Sequence, residues 1–179
     1  MIQINPTEIP ALRENDRISG KPSTAVVLMK YGDYQCSKSG KAHAAIEKLQ
    51  QELGERFCFV FRHFPQPKIN PQSMKAAETA EAAGSQGKFW EMHSTLFENQ
   101  DALEDCNLIE HAVNLELNIS LVLKELSERT HRDRIQQDID SGIEHQVEKT
   151  PTFFISIRHE GTQNLEQMLM GILRSITEQ

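Results

Sequence analysis

A cysteine at a strand-to-helix junction is the residue of this sequence best placed to do chemistry. The apolar run 25–31 leads through a short polar stretch to Cys36, after which apolar residues recur at helical spacing. A helix start presents outward-pointing N–H groups and the positive end of the helix dipole, and both stabilise a thiolate relative to a thiol. The Ser37 hydroxyl and the Lys38 ammonium would add to this effect. We therefore predict that Cys36 is a nucleophile.

Ser39 occupies the position at which a Cys-x-x-Cys motif carries its second cysteine. Its hydroxyl can donate a hydrogen bond to the Cys36 thiolate, but it cannot form a disulfide, which excludes dithiol cycling within this motif. The remaining chemistry is a mixed disulfide with a protein or with glutathione, resolved by an outside thiol, or oxidation to sulfenic acid.

The two other cysteines have different surroundings. Cys58 lies within a continuous apolar β-type run and is predicted to be a core residue, whereas Cys106 follows acidic residues near a helix start and is predicted to be exposed. An odd number of cysteines does not make a disulfide framework. A pairing of Cys36 with Cys106 is left open.

Hydrophobic periodicity predicts the elements that position these residues. The apolar runs 25–31 and 56–62 flank a helix that ends at Gly54, which predicts a β-α-β unit with parallel strands and a right-handed crossover. Further elements are predicted as a strand at 17–18, helices at 74–83, 89–97, 106–117, 119–128 and 131–146, a strand at 150–156, its hairpin partner at 157–160 and a last helix from 164.

This order of elements predicts an α/β fold: a four-stranded mixed sheet with an inserted all-helical subdomain. We assign residues 1–19 to a lead-in, residues 20–66 and 148–179 to the sheet domain, and residues 67–147 to the insertion.

Composition excludes several function classes. The chain has 179 residues and a net charge of -7, which argues against binding to nucleic acid. It contains no apolar run long enough for a membrane helix, and its start lacks the features of a secretory signal, so we expect a cytoplasmic protein. No Cys/His spacing resembles a zinc site, so no metal is predicted, and His63 and His93 are interpreted as packing residues.

Five segments, in order along the chain, resemble the DsbA-like thiol oxidoreductases: residues 31–36, 59–65, 75–83, 87–93 and 150–155. The resemblance extends over roughly residues 20–175. It implies a thioredoxin fold with a helical insertion, with Cys36 as the nucleophile and Pro151 as a cis-proline. The backbone of Thr150 would then pair with an extended substrate.

The chain departs from this family at several positions around the cysteine. Ser37 stands where relatives carry a proline, and Ser39 stands where they carry the second cysteine. Lys30 takes the place of a buried acid that is thought to handle protons; it would favour the thiolate but removes that proton acceptor. Asp33 and Lys30 are both candidates for proton transfer, although for Asp33 the binding of backbone N–H groups of its loop is an equal interpretation.

Three functions compete. The first is a monothiol disulfide reductase, isomerase or deglutathionylating enzyme that acts on protein thiols and disulfides or on glutathione, with no cofactor beyond glutathione as a co-substrate. The second is a glutathione transferase of the kappa type, in which Ser37 or Ser39 bonds glutathione. The third is a non-catalytic thioredoxin-fold module that binds a partner protein.

Overall fold

A four-stranded mixed sheet forms the centre of the computed structural model, which describes residues 9–24, 26–157 and 171. The spatial order is β1-β3-β2-β4; β2 and β3 run parallel, and the two outer strands pair antiparallel with their neighbours. The strands are β1 Arg17–Ser19, β2 Val26–Gly32, β3 Phe57–His63 and β4 Thr152–Ile157.

Helix α1 connects the two parallel strands, and five helices lie between β3 and β4. α1 ends at Leu53 and is capped by Gly54, whose positive φ of 51° is one that glycine adopts without steric cost. None of the described helices is long and apolar enough to cross a membrane. The helices are α1 Ser37–Leu53, α2 Ser73–Ser85, α3 Phe89–Glu98, α4 Asp105–Asn114, α5 Ile119–Glu128 and α6 Arg132–Glu144.

Alternate residues of β2 pack into two separate cores. Val26 and Leu28 belong to the larger core, with α1 and the inserted helices, whereas Val27 and Met29 belong to a smaller core that also contains Cys58. Both faces of the central strands are therefore covered, which explains why their sequences are continuous apolar runs and do not alternate.

The structure confirms the predicted fold class, with differences at element ends. The fourth strand of the described sheet is β1, which pairs with β3. Ile157 is the last residue of β4, so placing it at the start of a hairpin partner was wrong. The rest of that partner, 158–160, and the last helix from 164 lie outside the described residues. The predicted domain boundaries stay a prediction.

Helix α2 passes through Gly84, where the sequence predicted its end, and stops at Ser85. A Cβ atom at Gly84 would collide with the guanidinium of Arg17, so this glycine allows a close approach and does not terminate the helix. The approach brings Arg17 of β1 to Glu81 of α2, with which it forms an ion pair.

Glu81 joins the insertion to the sheet. Its fully buried carboxylate bonds His63 Nε2 of β3 at 2.8 Å and lies 3.2 Å from Arg134 Nε of α6. Burial alone would raise the pKa of Glu81, but the hydrogen bond and charge of His63, with the guanidinium groups of Arg17 and Arg134, lower it to about 2.

We expect Glu81→Gln to destabilise the chain at neutral pH by about 3 kcal/mol, because it leaves the partly buried guanidinium groups of Arg17 and Arg134 without their buried carboxylate partner. A carboxyl with a lowered pKa stabilises the fold above its ordinary pKa of 4.5, and this stabilisation is lost as the pH falls toward about 2. Urea unfolding at a series of pH values measures this. The difference in free energy of unfolding between wild type and Glu81→Gln should shrink below about pH 4.5. The exposed Glu91→Gln is the control. A difference that is constant with pH would contradict the lowered pKa of Glu81.

Candidate active site

Cys36 is the N-cap residue of α1 and is half-buried, while Ser37 and Lys38 beside it are exposed. Its carbonyl accepts the first helical hydrogen bond, from the N–H of Gly40 at 3.1 Å. The sulfur therefore lies at the helix start, as the sequence predicted, where the helix dipole favours a negative charge.

The thiol of Cys36 donates a hydrogen bond to the carbonyl of Thr150 at 3.3 Å, across 114 residues of sequence. The Thr150–Pro151 peptide bond is cis, and both residues are buried. β4 begins directly after this bond and pairs antiparallel with β2, so Thr152 lies opposite Tyr31. This register places the turn before β4 at the edge of the sheet where α1 begins.

Ser39 is fully buried, and its hydroxyl accepts a hydrogen bond from the backbone N–H of Asp33 at 3.5 Å. The Cys36 thiol donates its hydrogen bond to Thr150, so a bond between Ser39 and the thiolate stays a prediction. A buried hydroxyl is not accessible to a ligand arriving from solvent. The kappa-type alternative therefore depends on Ser37.

Asp33 organises the loop that carries the cysteine. Its carboxylate accepts hydrogen bonds from the backbone N–H groups of Gln35 at 2.8 Å and Gln66 at 3.0 Å, and from the side chain of Asn70 at 2.8 Å. Burial raises the pKa of Asp33, and these hydrogen bonds oppose the rise. The geometry supports the interpretation that Asp33 binds N–H groups of its loop; proton transfer by Asp33 stays a prediction.

Lys30 lies completely buried beneath the first turn of α1. Its Nζ donates a hydrogen bond to the Ser39 carbonyl at 2.9 Å and stands 4.1 Å from the centre of the Phe97 ring. Burial lowers the pKa of Lys30 to about 7, and the negative charge that Cys36 carries as a thiolate acts in the opposite direction. The amine is therefore electrostatically coupled to the sulfur and changes its protonation near neutral pH.

This finding corrects one sequence-based statement. A lysine at position 30 was expected to remove the proton acceptor, but an amine with a pKa near 7 exists partly in its neutral form at neutral pH. Such an amine can take up a proton. Proton transfer by Lys30 stays a prediction, as it does for Asp33.

Gln100, which follows α3, was not predicted from the sequence as a residue of this site. Its side-chain amide donates to the carbonyls of Tyr34 at 2.6 Å and Cys36 at 2.9 Å, so it ties the cysteine loop to the insertion. A Cβ atom at Gly40 would collide with this amide, which explains the glycine in the first turns of α1. No local pattern identifies Gln100, because it is 64 residues away from Cys36.

The remaining cysteines agree with prediction. Cys58 is buried within β3, Cys106 is exposed near the start of α4, and no disulfide joins any two of the three cysteines. His63 and His93 both make packing contacts: His63 bonds Glu81, and His93 Nδ1 lies 2.9 Å from the hydroxyl of Tyr34.

Comparison with known proteins supports these observations. The family model described as "Thioredoxin" matches residues 12–172. The crystal structure of alpha-DsbA1 from Wolbachia pipientis has a TM-score of 0.72 at 19% identity and covers 93% of this chain and 94% of that chain. BdbD from Bacillus subtilis in its oxidised form has a TM-score of 0.70 at 19% identity, with 90% and 93% covered. At these identities the two structures show a shared fold.

A curated relative has a different kind of name. The Na(+)/H(+) antiporter NhaA 1 of Salinispora arenicola is 35% identical over 165 residues, which is 92% of this chain but 25% of the antiporter. The chain thus spans about a quarter of the length of the curated relatives that it matches.

We expect Lys30→Met to stabilise the chain at and below neutral pH. Between about pH 7 and the ordinary lysine pKa of 10.5, the folded chain binds fewer protons than the unfolded chain, so wild-type stability rises with pH. The free energy of unfolding of the wild type changes by about 1.4 kcal/mol per pH unit in this range. The variant is therefore more stable than the wild type by several kcal/mol at pH 6–7, and the difference declines toward pH 10. Urea unfolding measures it, with the exposed Lys41→Met as control. An advantage that does not change over this range would show that Lys30 titrates normally.

Proposed function

The chain belongs to the thioredoxin family, and we propose that it carries out thiol–disulfide exchange through Cys36 alone. The proposal is based on the hydrogen bond between Cys36 and Thr150. A half-exposed thiol at a helix start donates to the carbonyl that precedes the cis Pro151. A nucleophile needs this combination of access and a positive local field. The carbonyl and the turn beside it offer backbone groups to an extended substrate.

The proposed reaction has two exchange steps. In the first, the Cys36 thiolate attacks one sulfur of a substrate disulfide; a Cys36–substrate disulfide forms, the substrate's own disulfide breaks, and its second sulfur leaves as a thiolate. In the second, the thiolate of an outside thiol such as glutathione attacks the mixed disulfide at the substrate sulfur; a disulfide between the outside thiol and that sulfur forms, the Cys36–substrate disulfide breaks, and Cys36 leaves as a thiolate. Ser39 provides no sulfur for an internal second step, which is why an outside thiol completes the cycle.

Lys30 acts in this scheme through its charge. Its ammonium form stabilises the Cys36 thiolate, and the thiolate in turn raises the pKa of Lys30, so the two groups favour each other's charged states. When the mixed disulfide forms, the negative charge at Cys36 disappears and the buried ammonium loses that stabilisation. Lys30 then tends to release its proton at the moment when a substrate thiolate leaves.

The proposal extends to partners and location. Substrates are protein disulfides or mixed disulfides with glutathione, and glutathione serves as the resolving thiol. A reducing compartment such as the cytoplasm supplies that thiol, so a cytoplasmic location belongs to the proposal. Because the curated relatives carry the segment that matches this chain within an antiporter, an NhaA-type antiporter is a candidate protein partner.

We expect the Cys106→Ser chain to take up one glutathione from glutathione disulfide at Cys36, and to release it when reduced glutathione is added. Intact-mass spectrometry with peptide mapping measures both steps. The Cys36→Ser, Cys106→Ser chain is the matched control and should take up none, because Cys58 is buried. A chain in which Cys36 forms no mixed disulfide would instead be the non-catalytic module.

We expect Lys30→Met to slow alkylation of Cys36 by about tenfold at pH 7, and to move the pH midpoint of the alkylation rate upward, because the variant lacks the buried ammonium. Iodoacetamide kinetics in a Cys106→Ser background measure the profile. Lys41→Met, which removes an exposed charge from the same helix, should leave the midpoint within a few tenths of a pH unit. Equal profiles for wild type and Lys30→Met would contradict the proposed role of Lys30.

A further inference from the structure

A second group of polar side chains lies away from Cys36, between α1 and α3. A cavity of about 180 Å³ opens there, and its lining includes His43, Glu47, His93 and Ser94. His43 is seven residues beyond Cys36 on α1, which corresponds to about 10 Å along the helix axis. The proposed exchange reaction uses none of these residues.

His43 has a buried nitrogen without a hydrogen-bond partner among the described residues. The residue is 6% exposed, and its Nε2 atom is the unpartnered one. Burial, together with the charge of Lys30, lowers the pKa of His43 to about 4, so the imidazole is neutral at physiological pH. The ring is stacked on Phe97 at 5.1 Å and meets the His93 ring edge-on at 5.2 Å, which fixes its orientation.

Two carboxylates lie near the His43 ring. Glu47 is one helical turn further along α1, on the same face, with Oε1 3.4 Å from His43 Nε2. Glu98 is the last residue of α3, and one ligand atom from each of the three side chains lies within 4.8 Å of the others. The Ser94 hydroxyl donates to Glu47 Oε1 at 3.3 Å and so orients this carboxylate.

We propose that His43, Glu47 and Glu98 form a binding site for a divalent transition-metal ion of the zinc type. A neutral imidazole and two carboxylates are ligands that Zn²⁺ and its first-row neighbours accept, and the two negative charges balance that of the ion. Small side-chain rotations bring three atoms at this separation to the 2.0–2.2 Å at which Zn²⁺ is bound. Ser94 supplies the outer support that metal-binding side chains commonly have.

The location gives the ion a structural effect. It would join α1, which carries Cys36, to α3 of the helical insertion, and so stabilise the contact between the two. Lys30 opposes the ion by charge, since its ammonium already lowers the pKa of His43. The two negative charges of Glu47 and Glu98 exceed the single positive charge of Lys30. The metal-site proposal does not depend on whether Cys36 exchanges disulfides.

Calorimetric titration with zinc chloride tests the site. The tag-free chain carries Cys36→Ser and Cys106→Ser, so that exposed thiols do not bind zinc. We expect one Zn²⁺ per chain and at least tenfold weaker binding in Glu47→Gln and in Glu98→Gln. Glu52→Gln on α1 and Glu91→Gln on α3 remove exposed carboxylates from the same two helices and should bind like the parent.

Thermal unfolding gives an independent readout, because an ion that binds only the folded chain raises its midpoint. At the same zinc concentration, the parent and the two control variants should be stabilised alike, and the two ligand variants should be stabilised less. An absence of saturable zinc binding by the parent would overturn the proposal. Equal affinity in the parent, Glu47→Gln and Glu98→Gln would overturn it too, since the ion would then bind elsewhere.

Discussion

The burial of a lysine amine beneath the first turn of α1 constrains the whole site. Lys30 is fixed by its strand, by its hydrogen bond to the Ser39 carbonyl and by the Phe97 ring, so its charge cannot move away from the helix start. Removing an ammonium from water is costly, and this cost lowers the pKa of Lys30 toward neutrality. A sulfur that carries negative charge nearby offsets part of the cost, which ties the charge of Lys30 to the chemistry of Cys36.

The surrounding structure keeps this electrostatic pair isolated. Burial and the charge of Lys30 lower the pKa of both His43 and His93, so neither imidazole competes for the proton at neutral pH. On the insertion side, Glu81 links helices α2 and α6 to the sheet through ion pairs. Gln100 then connects the end of α3 to the loop that carries the cysteine. The insertion thereby holds the cysteine loop in place from outside the sheet.

Local patterns in the sequence were sufficient for the main elements. The apolar runs predicted β2 and β3, and the Cys36 junction and Gly54 predicted both ends of α1. Contacts between residues that are distant in sequence were not predictable. Examples are the close approach of Arg17 to Gly84 and the hydrogen bond from Gln100 to the Cys36 carbonyl, 64 residues away. The neutral form of the Lys30 amine also escaped prediction, because desolvation depends on what the fold packs around the side chain. His43 and Glu47 had a readable signal in their i, i+4 spacing, but their meeting with Glu98 depends on tertiary structure.

The central claim is that Cys36 exchanges disulfides with an outside thiol completing each cycle. The most direct measurement is the steady-state reduction of a glutathionylated peptide by reduced glutathione, with and without the chain. We expect wild-type turnover to rise with the concentration of glutathione, and Cys36→Ser to show only the uncatalysed rate. A Cys36→Ser chain that turns over as fast as wild type, or a wild-type chain that adds nothing to the uncatalysed rate, would contradict it.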